Sequence, residues 1–280
     1  MSMKSKYMLY GMTGALMGLL MGACVKDELH NTPHPDRGVA AVSVDFPQGT
    51  GDEGRIEVDG EELDGTESHP LTLGMHTVLA YNLPPGFTVT DGIAYVDAAG
   101  DTRALSAVID PRPGYLYSGR QQIEVTADDT VRVNLQVAQR VRDLHIELEV
   151  TEGEPSRIVS ATGTLTGIAG AFDLRAETLT DEPVATVSDF AHEGGTVSAD
   201  FRLLGTRGGT QTFTLVLTFT DGLTQTMESD LTDILSDFNG GDYTQRFTVT
   251  GNLSVPVQGD VGGCTISGWT EVDAGNVDAQ

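Results

Sequence analysis

The sequence predicts an all-β protein built as two β-sandwich units in tandem, and three observations carry that reading. Apolar residues recur with a period of two, as in Val42, Val44 and Phe46, in Ile56 and Val58, and in Val131, Val133, Leu135 and Val137. The runs are short, and Gly, Pro and Asp break them at 48–54, 82–86 and 110–114; the 34 glycines and 11 prolines gather mostly at such turns. The third observation is a change of phase. Apolar residues take odd positions from Val131 to Val137, whereas Leu144, Ile146, Leu148 and Val150 take even ones. A regular strand cannot keep both sets on one face, because its side chains alternate strictly. One bulge would also reconcile them. A crossing between two cores fits better, because Arg140, Arg142 and Asp143 make the junction polar and each side has strands enough for its own sandwich. The expected units are residues 39–140 and 141–280.

The N-terminus stands outside this pattern. Lys4 and Lys6 precede an uncharged run over 8–23, shorter than the roughly 20 residues a comfortable membrane span requires, and Gly11, Gly14, Gly18 and Gly22 weaken it as a permanent helix. It ends in Leu20-Met21-Gly22-Ala23-Cys24. This resembles the lipobox of bacterial lipoproteins, although Met21 stands where that family usually has leucine. The resemblance implies a signal peptide over 1–23 and lipid on Cys24. Each buried lipid methylene is worth about 0.8 kcal/mol, so two or more acyl chains hold a protein durably. Residues 24–38 are polar and are expected to form a tether. Lys26-Asp27-Glu28, just after the cysteine, resembles the surface-export signal of Bacteroides-group lipoproteins.

The second unit carries the sharpest local expectations. Phe213, Leu215, Leu217 and Phe219 alternate with Thr212, Thr214, Thr218 and Thr220, giving a strand with one apolar and one threonine face. A three-residue turn, Thr220-Asp221-Gly222, pairs Phe219 with Leu223, Leu217 with Gln225 and Leu215 with Met227, and it puts Gly222 where a left-handed conformation is needed. Leu231, Ile234, Leu235 and Phe238 are spaced for one short helix, with Ser229 or Asp230 as cap and Gly240-Gly241 as stop. Strands are expected again over 243–249, 253–257 and 264–269.

Charge narrows the function. Setting aside residues 1–23 removes two lysines and no acid, so the formal charge moves from −25 to −27. Such a chain is not expected to bind nucleic acid or an anionic membrane surface. With Cys24 lipidated, Cys264 has no disulfide partner, and it is expected to be a buried, inert thiol. No phosphate-cradling loop, dinucleotide fingerprint or zinc helix is present, so no enzyme is expected. His30 and His34 are four apart, but Pro33 and Pro35 oppose a helix there; His69 and His76 are placed to meet across a turn without an evident third ligand. Calcium is the metal an acidic extracellular chain would favour. The candidate loops, 237–242 and Asp181-Glu182, lack the twelve-residue calcium-loop spacing, and no cofactor is expected. For a glycan-binding surface lipoprotein, the alternative function, the aromatic candidates are Phe87, Tyr95, Tyr115, Tyr117 and Trp269.

Several stretches together are similar to the fimbrial subunits and minor fimbrial anchor proteins of the Bacteroides and Porphyromonas group. They are Cys24-Val25-Lys26-Asp27-Glu28, His34-Pro35-Asp36, Leu79-Ala80-Tyr81-Asn82, Pro84-Pro85-Gly86, Tyr115-Leu116-Tyr117-Ser118-Gly119, Thr151-Glu152-Gly153, the run 163–170 and the closing run 275–279. The resemblance implies two Greek-key, transthyretin-like sandwich domains and a structural role in surface fimbriae. It also implies an outer-membrane attachment through lipid, and partners that are other fimbrial subunits joined by an added β-strand. Shaft subunits of such fimbriae are trimmed after an arginine near the first strand, whereas anchors keep their lipid. Arg37, before the first alternating strand, and Arg55, after it, are the candidate cuts. A weak, acidic final strand after Trp269 favours an anchor or accessory role over a shaft role.

Overall fold

Strands occur in every stretch where the two-residue period was clear. The computed structural model describes residues 36–47, 54–63, 68–99, 108–180, 182–256 and 263–272. The first half contributes β1 (Arg37–Val44), β2 (Arg55–Val58), β3 (Glu61–Glu62), β4 (Ser68–Thr72), β5 (Gly74–Tyr81), β6 (Phe87–Thr90), β7 (Ile93–Val96), β8 (Val108–Ile109), β9 (Tyr117–Val125), β10 (Thr130–Leu135) and β11 (Ala138–Gln139). The second half contributes β12 (Arg142–Glu152), β13 (Ile158–Ile168), β14 (Ala171–Asp173), β15 (Thr178–Thr180), β16 (Val184–Glu193), β17 (Thr196–Leu203), β18 (Thr212–Phe219), β19 (Thr224–Asp230), β20 (Phe247–Ser254) and β21 (Thr265–Val272). The fold is all-β, as the alternation requires.

Two sheets enclose the first core. One is three-stranded with the order β10-β1-β4, and the other five-stranded with the order β11-β9-β5-β2-β3. Ala40 and Val42 of β1, Ile56 and Val58 of β2, Val78 and Ala80 of β5, Ile123 and Val125 of β9, and Val133 and Leu135 of β10 meet between them. The partner of β10 is β1, the first strand among the described residues, and the two run parallel. A parallel pair needs a long connection, so the chain visits the opposite sheet before it returns.

The second core repeats the device. β12 lies between β20, parallel to it, and β17, antiparallel to it. The larger sheet follows the order β19-β18-β13-β16-β17-β12-β20-β21. It curls on β16, whose residues up to Phe190 pair with β13 while Ala191 to Glu193 pair with β17. The curl brings Phe213 of β18 against Trp269 of β21, edge to face, with ring centroids 5.8 Å apart. Phe190 packs on both Phe201 and Phe213 in the same interior. The β18–β19 hairpin has the three-residue turn and register the sequence demands: Phe219 N–H donates to the Leu223 carbonyl at 2.9 Å, and Leu215 pairs with Met227. Gly222 has φ of +82°.

The phase change at 137–144 coincides with a passage between cores. Val133 and Leu135 belong to the first, and Leu144, Ile146 and Leu148 to the second. The second core also takes in Leu79, Tyr81, Phe87, Ala94, Val96, Ile109 and Leu116 from the first half. A four-stranded sheet, β15-β14-β7-β6, joins a hairpin from each half edge to edge. Polar contacts tie the same seam. Tyr115 O–H donates to Asp143 at 2.6 Å, Arg140 pairs with Glu177 and lies over the Phe172 ring, and Arg120 donates to the Arg175 carbonyl.

One expectation is corrected. Residues 231–241 form successive turns, and no α-helix is found among the described residues. The predicted face is right, since Leu231, Leu235 and Phe238 are fully buried. A single helical bond, Leu235 N–H to the Leu231 carbonyl, gives way to tighter steps from Ser236 to Asp233, Phe238 to Leu235 and Gly240 to Asp237. The cause lies in Arg142. Its guanidinium takes the carbonyls of Phe238, Gly240 and Gln245 at 2.9, 3.0 and 2.9 Å, and it rests on the Phe238 and Phe247 rings. A short segment rich in Thr, Asp and Asn has little helical preference to set against that. For the same reason the chain at 243–246 is not a strand, and Phe247–Ser254 runs as one.

Arg142 is 9% exposed, so removing it strands three carbonyls and opens a hole between two rings. Arg142→Ala is expected to lower unfolding free energy by about 3 kcal/mol, because three carbonyls each lose a hydrogen bond to a charged donor. Equilibrium denaturation in urea checks this, and Arg246→Ala, at a half-exposed neighbouring arginine, should change stability by less than about 1 kcal/mol.

Candidate assembly site

β1 is the element on which an assembly role turns. It is short, but it is the middle strand of its sheet, so it satisfies backbone groups on both sides. Val39 pairs with Thr130 and Val44 with Leu135 along β10, while Arg37 pairs with Thr72 and Ala41 with Ser68 along β4. The ladder begins at its first residue: Asp128 N–H donates to the Arg37 carbonyl at 3.1 Å and Val39 N–H to the Asp129 carbonyl at 2.9 Å. Gly38 allows this close approach, since a Cβ there would stand 2.3 Å from the Thr126 carbonyl oxygen. Without β1, a groove walled by β10 and β4 would expose Ile56, Val78 and Ile123 and two rows of unpaired backbone groups.

The two candidate cuts differ in consequence. Arg37 is exposed and is itself the first residue of β1, so a cut after it leaves Gly38 to Val44 in place. Arg55 opens β2, is half-exposed and pairs with Glu62 at 3.4 Å. A cut after Arg55 would separate β1 from the rest of the chain. Cys24, Lys26, Asp27 and Glu28 lie outside the described residues, as do His30 and His34.

A buried histidine fastens the far wall of the groove. His76 of β5 has Nδ1 2.7 Å from Asp59 Oδ2 and Nε2 2.9 Å from the carbonyl of Thr72, the last residue of β4. Both neighbours are acceptors, so only the doubly protonated ring donates to both. Burial opposes that charge, but the bonds to Asp59 and Thr72 outweigh it, and His76 titrates above the usual 6.5. Asp59 titrates below its usual value, chiefly because Thr77 N–H donates to its other oxygen at 2.8 Å. The sequence placed His69 and His76 across a turn; instead His76 binds the turn backbone and Asp59, while His69 stands opposite Ala40 on β4. Spacing alone carried no signal for the Asp59 partner, which is seventeen residues away.

The other candidates are occupied locally. Tyr115 is half-buried and donates to Asp143, and the Arg202 guanidinium covers one face of its ring at 4.3 Å. Tyr117 is half-buried and donates to Gln139 at 3.0 Å, lining a cavity of about 680 Å³ with Phe172 and Tyr243. Phe87 is buried, and Trp269 packs on Phe213. In the proposed calcium loop, Asn239 exchanges hydrogen bonds with the Thr206 backbone and Asp242 accepts from Thr244 N–H and Oγ1. Asp181 lies outside the described residues. Cys264 is a buried free thiol, and burial raises its pKa. Toward the other end, β21 pairs only with β20 among the described residues and is mostly exposed, with Ile266 and Trp269 alone half-buried among its strand residues.

These features define the class: an acidic, all-β protein of two fused sandwiches, the fold of known bacterial surface proteins. A candidate adhesin from Bacteroides ovatus superposes with a TM-score of 0.55 at 14% identity, covering 75% of this chain and 87% of that one. The fimbrial anchor protein Mfa2 of Porphyromonas gingivalis gives 0.54 at 11% identity, covering 86% and 97%. No curated protein sequence matches. The chain belongs to the family of fimbrillin-A associated anchor proteins Mfa1 and Mfa2, which matches residues 53–275.

The His76 clamp predicts a pH dependence with a definite sign. A raised histidine pKa gives stability that is complete below the unfolded value of 6.5 and lost as pH rises through the higher folded value. The melting temperature should therefore fall as the pH rises above about 6.5, with faster amide exchange in β4 and β5. In His76→Gln both changes should be absent, and a wild-type profile that is flat over this range would remove the clamp.

Proposed function

We propose that this protein is a lipid-held anchor of surface fimbriae, attached to the outer membrane through Cys24 and joined to other fimbrial subunits by an added β-strand. The observation that carries this reading is the place of β1. Cys24 and Arg37 are linked by residues 25–36 alone, at most about 45 Å of extended chain. The lipid and the strand that fills the groove therefore belong to one segment. A cut after Arg55 would remove both, and a chain that keeps its lipid also keeps its groove filled. A filled groove ends a row of subunits, as an anchor must.

The free edge favours the same role. β21 leaves one side of its backbone without a strand partner among the described residues and buries little of itself, so it is the strand least costly to offer or to extend with a neighbour's strand. The family match supports fimbrial subunits as the partners. Lys26, Asp27 and Glu28 support export of the anchor to the cell surface, and the role is structural, with no metal or cofactor required.

Fimbriae purified from the native cell test the reading by mass spectrometry of this chain's N-terminus. Acylated Cys24 is the expected start. Recovery beginning at Ile56 would make the chain a processed shaft or tip subunit, recovery beginning at Gly38 would make it a subunit without lipid, and absence from the fimbriae would contradict a fimbrial role.

A further inference from the structure

The seam between the two sandwiches holds the cavity of about 680 Å³ lined by Tyr117, Phe172 and Tyr243. Its aromatic walls come from both halves of the chain, and one side chain fastens them. Gln139 Oε1 accepts from Tyr117 O–H at 3.0 Å, while its Nε2 donates to the Tyr243 carbonyl at 2.9 Å and the Val141 carbonyl at 2.7 Å. Both tyrosines are half-buried, and Tyr243 O–H reaches the Leu204 carbonyl at 3.4 Å. The volume, the place between two units and the aromatic walls broken by a few polar groups are those of a small-ligand site.

The charges around this cavity cancel, although the chain as a whole carries −25. Glu177 and Asp242 line it and are exposed. Against them stand Arg140, which pairs with Glu177 over the Phe172 ring, and Arg142, which holds the Gly240 carbonyl and whose charge is felt at Asp242 and Tyr243. A cation entering here meets two guanidiniums and an anion two carboxylates, whereas an uncharged guest meets neither penalty. Glu177 takes Arg140 through one oxygen, and Asp242 takes Thr244 N–H and O–H through one oxygen. Among the described residues each therefore keeps a second carboxylate oxygen to accept from a guest. The guest that fits is neutral, donates through hydroxyls and has an apolar face for the rings.

We propose that the seam cavity binds the end of a neutral oligosaccharide, which gives the chain an adhesive function beside its role as an anchor. A sugar ring has the required combination, with C–H groups on one face to lie against an aromatic ring and hydroxyls at its edge to donate to carboxylates. The site is built from the seam alone and uses neither Cys24 nor β1, so it does not rest on how the chain is attached.

The full-length chain, purified in a sugar-free detergent, is titrated with glucose, galactose, mannose and N-acetylglucosamine and with disaccharides ending in each, by calorimetry and saturation-transfer NMR. At least one disaccharide is expected to bind with a Kd of about 1 mM, and no more weakly than its terminal monosaccharide. Glucuronate and choline, the charged probes, should bind roughly tenfold more weakly or not at all. Tyr117→Ala and Asp242→Asn should each weaken the sugar roughly tenfold. Because Tyr117 also belongs to the seam, Ala138→Arg supplies a second check. Ala138 is exposed on the cavity wall, so the long side chain fills the space, and sugar binding should be lost at an unchanged melting temperature. No sugar binding up to about 50 mM, tighter binding of either charged probe, or binding that survives Ala138→Arg would each overturn the proposal. Binding lost on adding the second ring would confine the site to free sugars and overturn the oligosaccharide end.

Discussion

The whole architecture depends on a first strand that is the central strand of its sheet. β1 completes the ladder to β10 on one side and to β4 on the other, and its Ala40 and Val42 close the first core. Most chains can lose or fray a terminal segment cheaply, because termini usually lie at edges. Here the terminal segment cannot leave without exposing a groove along its whole length. That constraint couples the N-terminus, where lipid is proposed, to the integrity of a sandwich more than a hundred residues long.

The second half is built on the same plan with a different terminus. β12 occupies the place of β1, between a parallel and an antiparallel neighbour, but it is preceded by chain and bounded by Arg140 and Arg142, so it has no freedom to leave. The seam then makes the two sandwiches one mechanical object. Hairpins from each half share a sheet, and Arg175 of one reaches Glu57 and the Asp91 carbonyl of the other. Glu57 in turn accepts from Tyr81 O–H, and burial followed by that bond raises the tyrosine pKa. A load applied at β21 would pass through packed side chains and charge-assisted bonds to reach β1, a path that suits the anchor role proposed above.

Much of this was legible in the sequence, for reasons that are local. Alternation located the strands, the count of residues in Thr220-Asp221-Gly222 set the β18–β19 register, and the change of phase marked the passage between cores. Non-local facts were not legible. The apolar spacing of 231–238 was a true signal of burial but a false one of helix, because the competing partner, Arg142, lies about ninety residues earlier. His76 and Asp59 are brought together by two strands with no motif to announce them. Tyr115 and Tyr117 stood as aromatic candidates for the alternative glycan-binding function, and nothing local in the sequence announced Arg202 and Gln139 as the partners that hold them in the fold. The parallel pairing of β1 with β10 was likewise invisible, although it gives the first strand its importance.

The central claim is that one N-terminal segment both carries the lipid and plugs the groove, so that fimbriae hang from it. A specific protease site inserted between Leu29 and Asp36 tests this most directly on living cells. Cleavage there should shed whole fimbriae into the medium, with this chain at their ends and β1 still within it. Fimbriae that stay on the cells after complete cleavage, or shed fibres that lack this chain, would contradict the account.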